Sequence, residues 1–287
     1  MTIQENVPLA PLTTLGVGGR ARFFAAAESV ADVVEALAFA HERELPIFVL
    51  GGGSNVVIAD DGFDGLVLAP RITGITTETH GTRTLVTVGA GVMWDEFVVW
   101  AIAHGFAGLE CLSGVPGTIG GAVVANLGAY GAQVSDTFVH AEAVDTRVPG
   151  EKLRVFEKEE CNFSYHDSIF GHTAGRYIVV RATFALSTDP AANPSYRDNR
   201  FDMTKLAAAL GHAPTREEVR AAVLTMREEK GSLIMDGRVS YKSAGSFFHM
   251  PFVSKEQYEK VVAQARVLDA AKEERLRPWA WQQPDDS

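Results

Sequence analysis

The sequence predicts an α+β fold, a mixed α/β lobe followed by an antiparallel-rich one. An amphipathic helical pattern over 29–46 leads straight into a short apolar run, "PIFVL", as a helix feeds a buried strand. Farther on, "FVHAEAVDT", "KLRVF" and "YIVVRATFAL" (177–186) follow one another with no helix between them, so they are expected to pair antiparallel. Between these regions "LSGVPGTIGGAVVANLGAYG" (112–131) sets six glycines among small apolar residues, where regular structure disfavours them.

The elements follow in order. Ser29 caps the first helix, and Val30, Val33, Val34 and Leu37 form its stripe. After "PIFVL" comes "GGGSN", then "VVIADDGFDGLVLA", read as two more short strands around an Asp/Gly turn. "ITTETHGTRTLVTVG" reads as a hairpin turning near His80 and Gly81. "MWDEFVVWAIAHG" is a helix with Trp94, Phe97, Val98, Ala101 and Ile102 on one face and Gly105 as its stop. Pro149 and Gly150 make a turn, and 188–200 is a polar loop with two prolines. Thr215, after Pro214, forms a capping box with Glu218 and starts a helix on Val219, Ala222, Val223 and Met226. "AGSFFHMPFV" breaks at Pro251. Ser254 and Gln257 then open a helix with Tyr258, Val261, Val262, Ala265 and Leu268 on its stripe. That last stripe needs a partner layer, and little chain follows to supply one. The expectation is that this segment packs on the preceding domain or that the chain is cut short.

The composition, 46% hydrophobic and 22% charged over 287 residues, is that of a globular protein large enough for more than one core. No apolar run approaches the roughly 18 residues of a membrane span, and "MTIQENVPLAPLTTLG" lacks the basic flank and apolar stretch of a signal peptide. A cytoplasmic protein that does not enter a membrane is expected. Cys111 and Cys161 make no disulfide framework, and no Cys/His spacing suggests a metal site. A net charge of −10 argues against a nucleic-acid partner. It also means that an anionic ligand must be held by local donors against the overall field.

The glycines suggest where. Gly51, Gly52, Gly53, Ser54 and Asn55 follow an apolar strand directly; they either cradle a phosphate on backbone N–H groups or make a tight turn. Neither G-x-x-x-x-G-K-[ST] nor a strand-to-helix G-x-G-x-x-G is present. In 112–131, Pro116 and Gly117 precede a helix start at Thr118, an arrangement suited to an anion. Gly120, Gly121 and Ala122 leave room for a flat ring, and Gly128, Ala129 and Tyr130 follow the amide of Asn126. Two such loops on one scaffold favour a large, flat, phosphate-bearing cofactor over glycine packing alone.

"NVPLAPLTTLGVGG", "LGGGSNVVIADDGFDGLVL", "LSGVPGTIGGAVVANLGAYG", "CNFSYHDSIF" and "SAGSFF", in that order, resemble the UDP-N-acetylenolpyruvoylglucosamine reductase family over nearly the whole chain. The loop at Tyr196 and the two-helix segment after it resemble the longer-loop branch. The resemblance implies a two-lobed region binding FAD non-covalently (lobes 1–70 and 71–230) and a smaller substrate-binding domain from 231 to 287. It implies a monomer that takes a hydride from NADPH onto the flavin and passes it to the enolpyruvyl group of a UDP-sugar, in peptidoglycan precursor synthesis and hence cell-wall growth, shape and division. The glycine-loop residues above would hold the FAD.

The same resemblance assigns Ser246 as proton donor, Tyr165 near flavin and enolpyruvyl group, Lys230 to substrate phosphate or carboxylate, and Tyr196 to the substrate-covering loop. Bland alternatives stand beside these: a strand serine, a core aromatic, and a cation favoured by its helix terminus. Three departures from the family pattern stand out. His166 occupies the usual arginine position and supplies a cation only when protonated, with an ordinary pKa of about 6.5. His249 and Met250 replace Lys-Asn. The family's C-terminal glutamate has no counterpart, Glu273 and Glu274 standing in another context. The alternatives are another flavoprotein of the same cofactor-binding type oxidising an alcohol or sugar, with Cys111 a conceivable covalent tether, or a catalytically impaired FAD or nucleotide-sugar binder.

Overall fold

The computed structural model describes residues 1–188 apart from 82, 149, 151–152 and 174, and residues 201–234, 242–246, 251 and 253–268. It opens with β1 (Ile3–Pro8) paired antiparallel to β2 (Arg20–Ala27). α1 (Val30–Glu42) then starts on the expected cap: Asp32 N donates to Ser29 Oγ at 3.1 Å, and Ser29 N donates to the Asp32 carboxylate at 3.0 Å. β3 (Ile47–Val49) and β2 both run parallel to β4 (Phe63–Pro70), giving a four-stranded mixed sheet in the order β1-β2-β4-β3.

β5 (Ile75–His80) and β6 (Arg83–Gly89) form the expected hairpin, with Gly81 at φ 62° in its turn. α2 (Trp94–Ala103), α3 (Ile119–Val124), the two-residue strands β7 (Gly128–Ala129) and β8 (Ala132–Gln133), and the one-turn α4 (Val134–Thr137) follow. Then come β9 (Phe138–Asp145), β10 (Leu153–Glu157), the short α5 (Ile169–His172) and β11 (Tyr177–Ser187). The second sheet is antiparallel throughout, in the order β10-β9-β11-β6-β5. α6 (Met203–Leu210), α7 (Arg216–Glu229) and α8 (Lys255–Leu268) complete the described elements. α7 carries the Thr215 and Glu218 capping box, and Ser254 and Gln257 exchange bonds of 2.8 and 3.2 Å at the start of α8.

Two expectations are corrected. Residues 56–62 are not a strand; the run "VVIADDGFDGLVLA" contains β4 alone. Gly19 N donates to Ala59 O at 2.9 Å, and a Cβ on Gly19 would lie 2.0 Å from Asp60 O, so this stretch crosses the β2 start closely rather than extending a ladder. β3 is an edge strand, half-buried rather than buried, because its free side faces the cleft described below. β1 and β2 carry no clean alternation of apolar residues, and the sequence reading did not assign them.

Cores lie on both sides of the first sheet and under the second. α1 buries Val33, Ala36, Leu37 and Ala40 against Leu66 and Leu68 of β4 and also against Val144, Ile178 and Val180 of the antiparallel sheet, so this one helix joins the two sheets. Each buried valine, leucine or isoleucine among them contributes roughly 1.5–3 kcal/mol relative to exposure. The largest core packs α2 and α3 under the second sheet. Its fully buried Trp94 donates Nε1–H to Leu112 O at 3.0 Å, and its ring lies 6.1 Å from Phe184. Among the described residues no helix is long and apolar enough to cross a membrane.

Candidate active site

The glycine-rich loops meet along one cleft of about 1580 Å³. Glycines 51 to 53 and Ser54 leave β3 at the edge of the first sheet, and residues 116–118 lead into α3 beneath the second. The loops touch directly. A Cβ on Gly52 would lie 2.6 Å from Gly117 Cα, and Ser54 Oγ donates to Pro116 O at 3.2 Å. Gly53, at φ 65°, could not carry a side chain, since its Cβ would meet Leu12 O at 2.0 Å. Part of the glycine requirement is therefore backbone packing. Gly121 differs: its nearest contact would be Thr118 Oγ1 at 3.7 Å, and it opens on the cleft.

The cleft wall suits an anionic, planar cofactor. Among the described residues, the backbone N–H groups of Gly51, Gly52, Gly53, Ser54, Asn55, Gly117 and Thr118 donate to no protein acceptor. Unpaired N–H groups are costly when shielded from water, and an anion is what pairs them. Thr118 itself caps α3 through Oγ1 and Gly121 N, whereas the Gly120 N–H is used by Ala90 O at 2.9 Å. The half-buried Arg71 donates to Gly51 O at 3.2 Å from behind this loop. Ala122, Gly128, Ala129 and Tyr130 continue the wall.

Two predicted site residues, Asn126 and Asn55, line the cleft and also hold other segments of the protein with their side chains. Asn126 is 2% exposed. Its Nδ2 donates to Ser164 O at 2.9 Å and its Oδ1 accepts from Ser135 N at 3.1 Å. It thereby ties the α3 loop to the tight turn of residues 164–167, whose tip presents Tyr165 and His166 to the cleft, 4.4 Å apart ring to ring. His166 sits at φ 54°, an unusual backbone region for a residue other than glycine and one that concentrates at functional sites. Asn55 sends its side-chain amide to the backbone of 244 and 246.

On the opposite side, α7 delivers cations. Lys230, at its C-cap, lies 5.3 Å from the buried Tyr130 ring. Arg227, one turn earlier, is 8% exposed; Nη2 donates to Ser232 O at 2.8 Å, and Nε has no acceptor among the described residues. Burial pulls its guanidinium below the usual range, against the pull of the Tyr130 hydroxyl. The sequence reading missed Arg227. The signal was there: it continues the Val219 and Val223 spacing, a charge on an apolar stripe. Ser246 reaches the same cleft from segment 242–246. Tyr196, Phe247, His249, Met250, Glu273 and Glu274 lie outside the described residues. Cys111 is fully buried in the core, and burial with the Glu160, Glu157 and Glu159 charges pushes the Cys161 thiol up to about 12, so neither is a reactive thiol.

The two-sheet scaffold and its lining of backbone amides define a flavin-dinucleotide-binding protein, and a family model described as an FAD binding domain matches residues 21–149. UDP-N-acetylenolpyruvoylglucosamine reductase of Pseudomonas fluorescens (strain Pf0-1) is 40% identical over 265 residues, covering 92% of this chain and 75% of its own length. The protein of the same name from Thermobifida fusca (strain YX) is 36% identical, covering 89% and 71%. The crystal structure of UDP-N-acetylenolpyruvylglucosamine reductase from Thermus caldophilus matches with a TM-score of 0.60 at 27% identity, over 90% of this chain and 80% of that one. The chain belongs to the UDP-N-acetylenolpyruvoylglucosamine reductase family.

Proposed function

We propose that this protein is an FAD-dependent reductase of UDP-N-acetylglucosamine enolpyruvate, yielding UDP-N-acetylmuramate for peptidoglycan precursor synthesis. The observation that carries the reading is the convergence of Ser246, Tyr165, His166 and Lys230 on the cleft walled by the two glycine loops. The N–H groups of residues 51–55, 117 and 118 would hold the FAD phosphates, and Gly121 and Ala122 would leave room for its ring. Bound FAD would supply hydride transfer, from NADPH to the enolpyruvyl double bond. Negative charge then grows toward the substrate carboxylate. Protonated His166 and the cations of α7 oppose it, and fixed charges act strongly in a site shielded from water. Ser246 Oγ donates its proton to the adjacent carbon, while Tyr165 orients the enolpyruvyl group and Lys230 holds substrate phosphate or carboxylate.

We assign the cofactor lobes to 1–70 and 71–230 and the substrate side to the residues from 231 on, in a cytoplasmic monomer. The test is direct. Purified protein is expected to bind FAD, lose the oxidised flavin absorbance with NADPH, and regain it on addition of the enolpyruvyl UDP-sugar without oxygen. Flavin that is reduced but never reoxidised by this substrate would overturn the reading.

A further inference from the structure

The segment that carries Ser246 is attached to the rest of the protein in an unexpected way. Asn55 Nδ2 donates to Ala244 O at 2.7 Å and to Ser246 O at 3.2 Å, spending both amide hydrogens on carbonyls that flank Gly245. Thr14 Oγ1 donates to Ser243 O at 2.5 Å, and the Thr14 N–H donates to Gly53 O at 3.0 Å. Gly245, at φ 68°, makes the bend, and its N–H donates to Ser243 Oγ at 3.0 Å. The bend faces the cofactor loop at ordinary van der Waals distance: a Cβ on Gly245 would meet Asn55 Nδ2 at 3.5 Å and Ser54 O at 3.6 Å. Ser54 in turn bonds Pro116 O in the second glycine loop.

From this we infer that Asn55 is a positioning residue for Ser246, and that the loop offering its N–H groups to the cofactor also sets where the proton donor stands. The inference rests on the proton-donor reading of Ser246. Residues 51–55 line the cleft, and the Asn55 side chain is spent on the backbone of 244 and 246. One residue thus serves two ligands of different kinds. Anything that orders the loop, FAD included, orders the donor segment through these two hydrogen bonds. A shift of about 1 Å in a reacting group can cost on the order of a hundredfold in rate, so a donor segment held by one amide and one hydroxyl is sensitive to the loss of either.

Asn55→Ala removes the clamp and keeps every loop N–H. With FAD saturating, it is expected to be reoxidised by the enolpyruvyl substrate at least about tenfold more slowly, beyond whatever change its reduction by NADPH shows. In a Ser246→Ala background the same substitution is expected to add no further slowing, since residues that act through one another are non-additive. Hydrogen exchange supplies a readout apart from turnover. In wild-type protein FAD slows exchange over 242–246; in Asn55→Ala that segment exchanges faster and ceases to respond to FAD, while β9 is unchanged. Thr14→Val, which removes the Oγ1 bonds to Ser243 O and, at 3.4 Å, to Gly53 O, gives the same pattern more weakly if the first variant folds poorly. Additive effects of Asn55→Ala and Ser246→Ala, or an unchanged exchange pattern, would overturn the inference. If Ser246→Ala alone is reoxidised normally, it is the proton-donor reading that fails, and the positioning role falls with it.

Discussion

Arg220 on α7 grips Asp95 on α2 at two points, Nη1 to Oδ1 at 2.6 Å and Nη2 to Oδ2 at 2.8 Å, and the same carboxylate accepts the Gly114 N–H at 2.6 Å. A second acid and base, Glu110 and Arg216, face each other 3.8 Å apart a turn away. These contacts fix α7 against the glycine-rich segment, and α7 brings Arg227 and Lys230 to the cleft. Burial alone would raise the Asp95 carboxyl; the Arg220 and Gly114 hydrogen bonds and the Arg227 charge outweigh it and hold it below the usual carboxylate value.

Asp95→Asn is therefore expected to lower stability by about 1–2 kcal/mol, a modest figure because the Asp95 side chain is 36% exposed. It should raise KM for the nucleotide sugar while FAD content stays constant. A folded-state value below the unfolded one means that this contribution is present above the ordinary carboxylate pKa of about 3.9 and fades as pH falls through the lower folded value. Thermal unfolding of wild type and variant should thus converge in acid and stay separated from pH 5 to 7.

Gly52 and Gly121 separate packing from ligand space. Gly52→Ala drives a methyl against Gly117 backbone at 2.6 Å, so the loops must part; a loss of about 1–3 kcal/mol in stability together with weaker FAD binding is expected. Gly121→Ala meets no protein atom closer than 3.7 Å and sits in a helix, where alanine is favoured by up to about 1 kcal/mol. It should leave the apoprotein as stable as before or more so, and still weaken FAD binding. FAD titrations alongside melting curves check both.

His166→Arg tests the charge at the tip of the 164–167 turn. The permanent cation of the arginine variant is expected to keep or raise the rate of substrate-driven flavin reoxidation, and His166→Ala to lower it. Equal rates in all three proteins would exclude this role.

Ser246→Ala is expected to leave reduction by NADPH intact and slow reoxidation by substrate by about 10²–10⁴-fold. Stopped-flow measurement of the two half-reactions separates these rates.

Local chemistry was legible without the fold. Ser29 with Asp32, Thr215 with Glu218, and Ser254 with Gln257 all form caps at the expected starts, because a cap involves only neighbours three residues apart. The hairpin at Gly81 and the helix stop at Gly105, φ 75°, are local for the same reason. The motifs at 51–55, 112–131, 164–167 and 242–246 could each be seen in the chain. What no window could display was their use of one another. The parallel pairing of β2 and β3 on β4 brings the 51–55 loop beside 116–118. Only then do Asn55 and Asn126, read as cofactor residues, turn out to hold the segments bearing Ser246 and Tyr165. Short-range hydrogen bonding and helix periodicity are written into consecutive residues, so the chain alone determined its caps, turns and cofactor loops. Which carbonyl an amide 189 positions away would find depends on how two sheets close around α1, and that the tertiary structure decided.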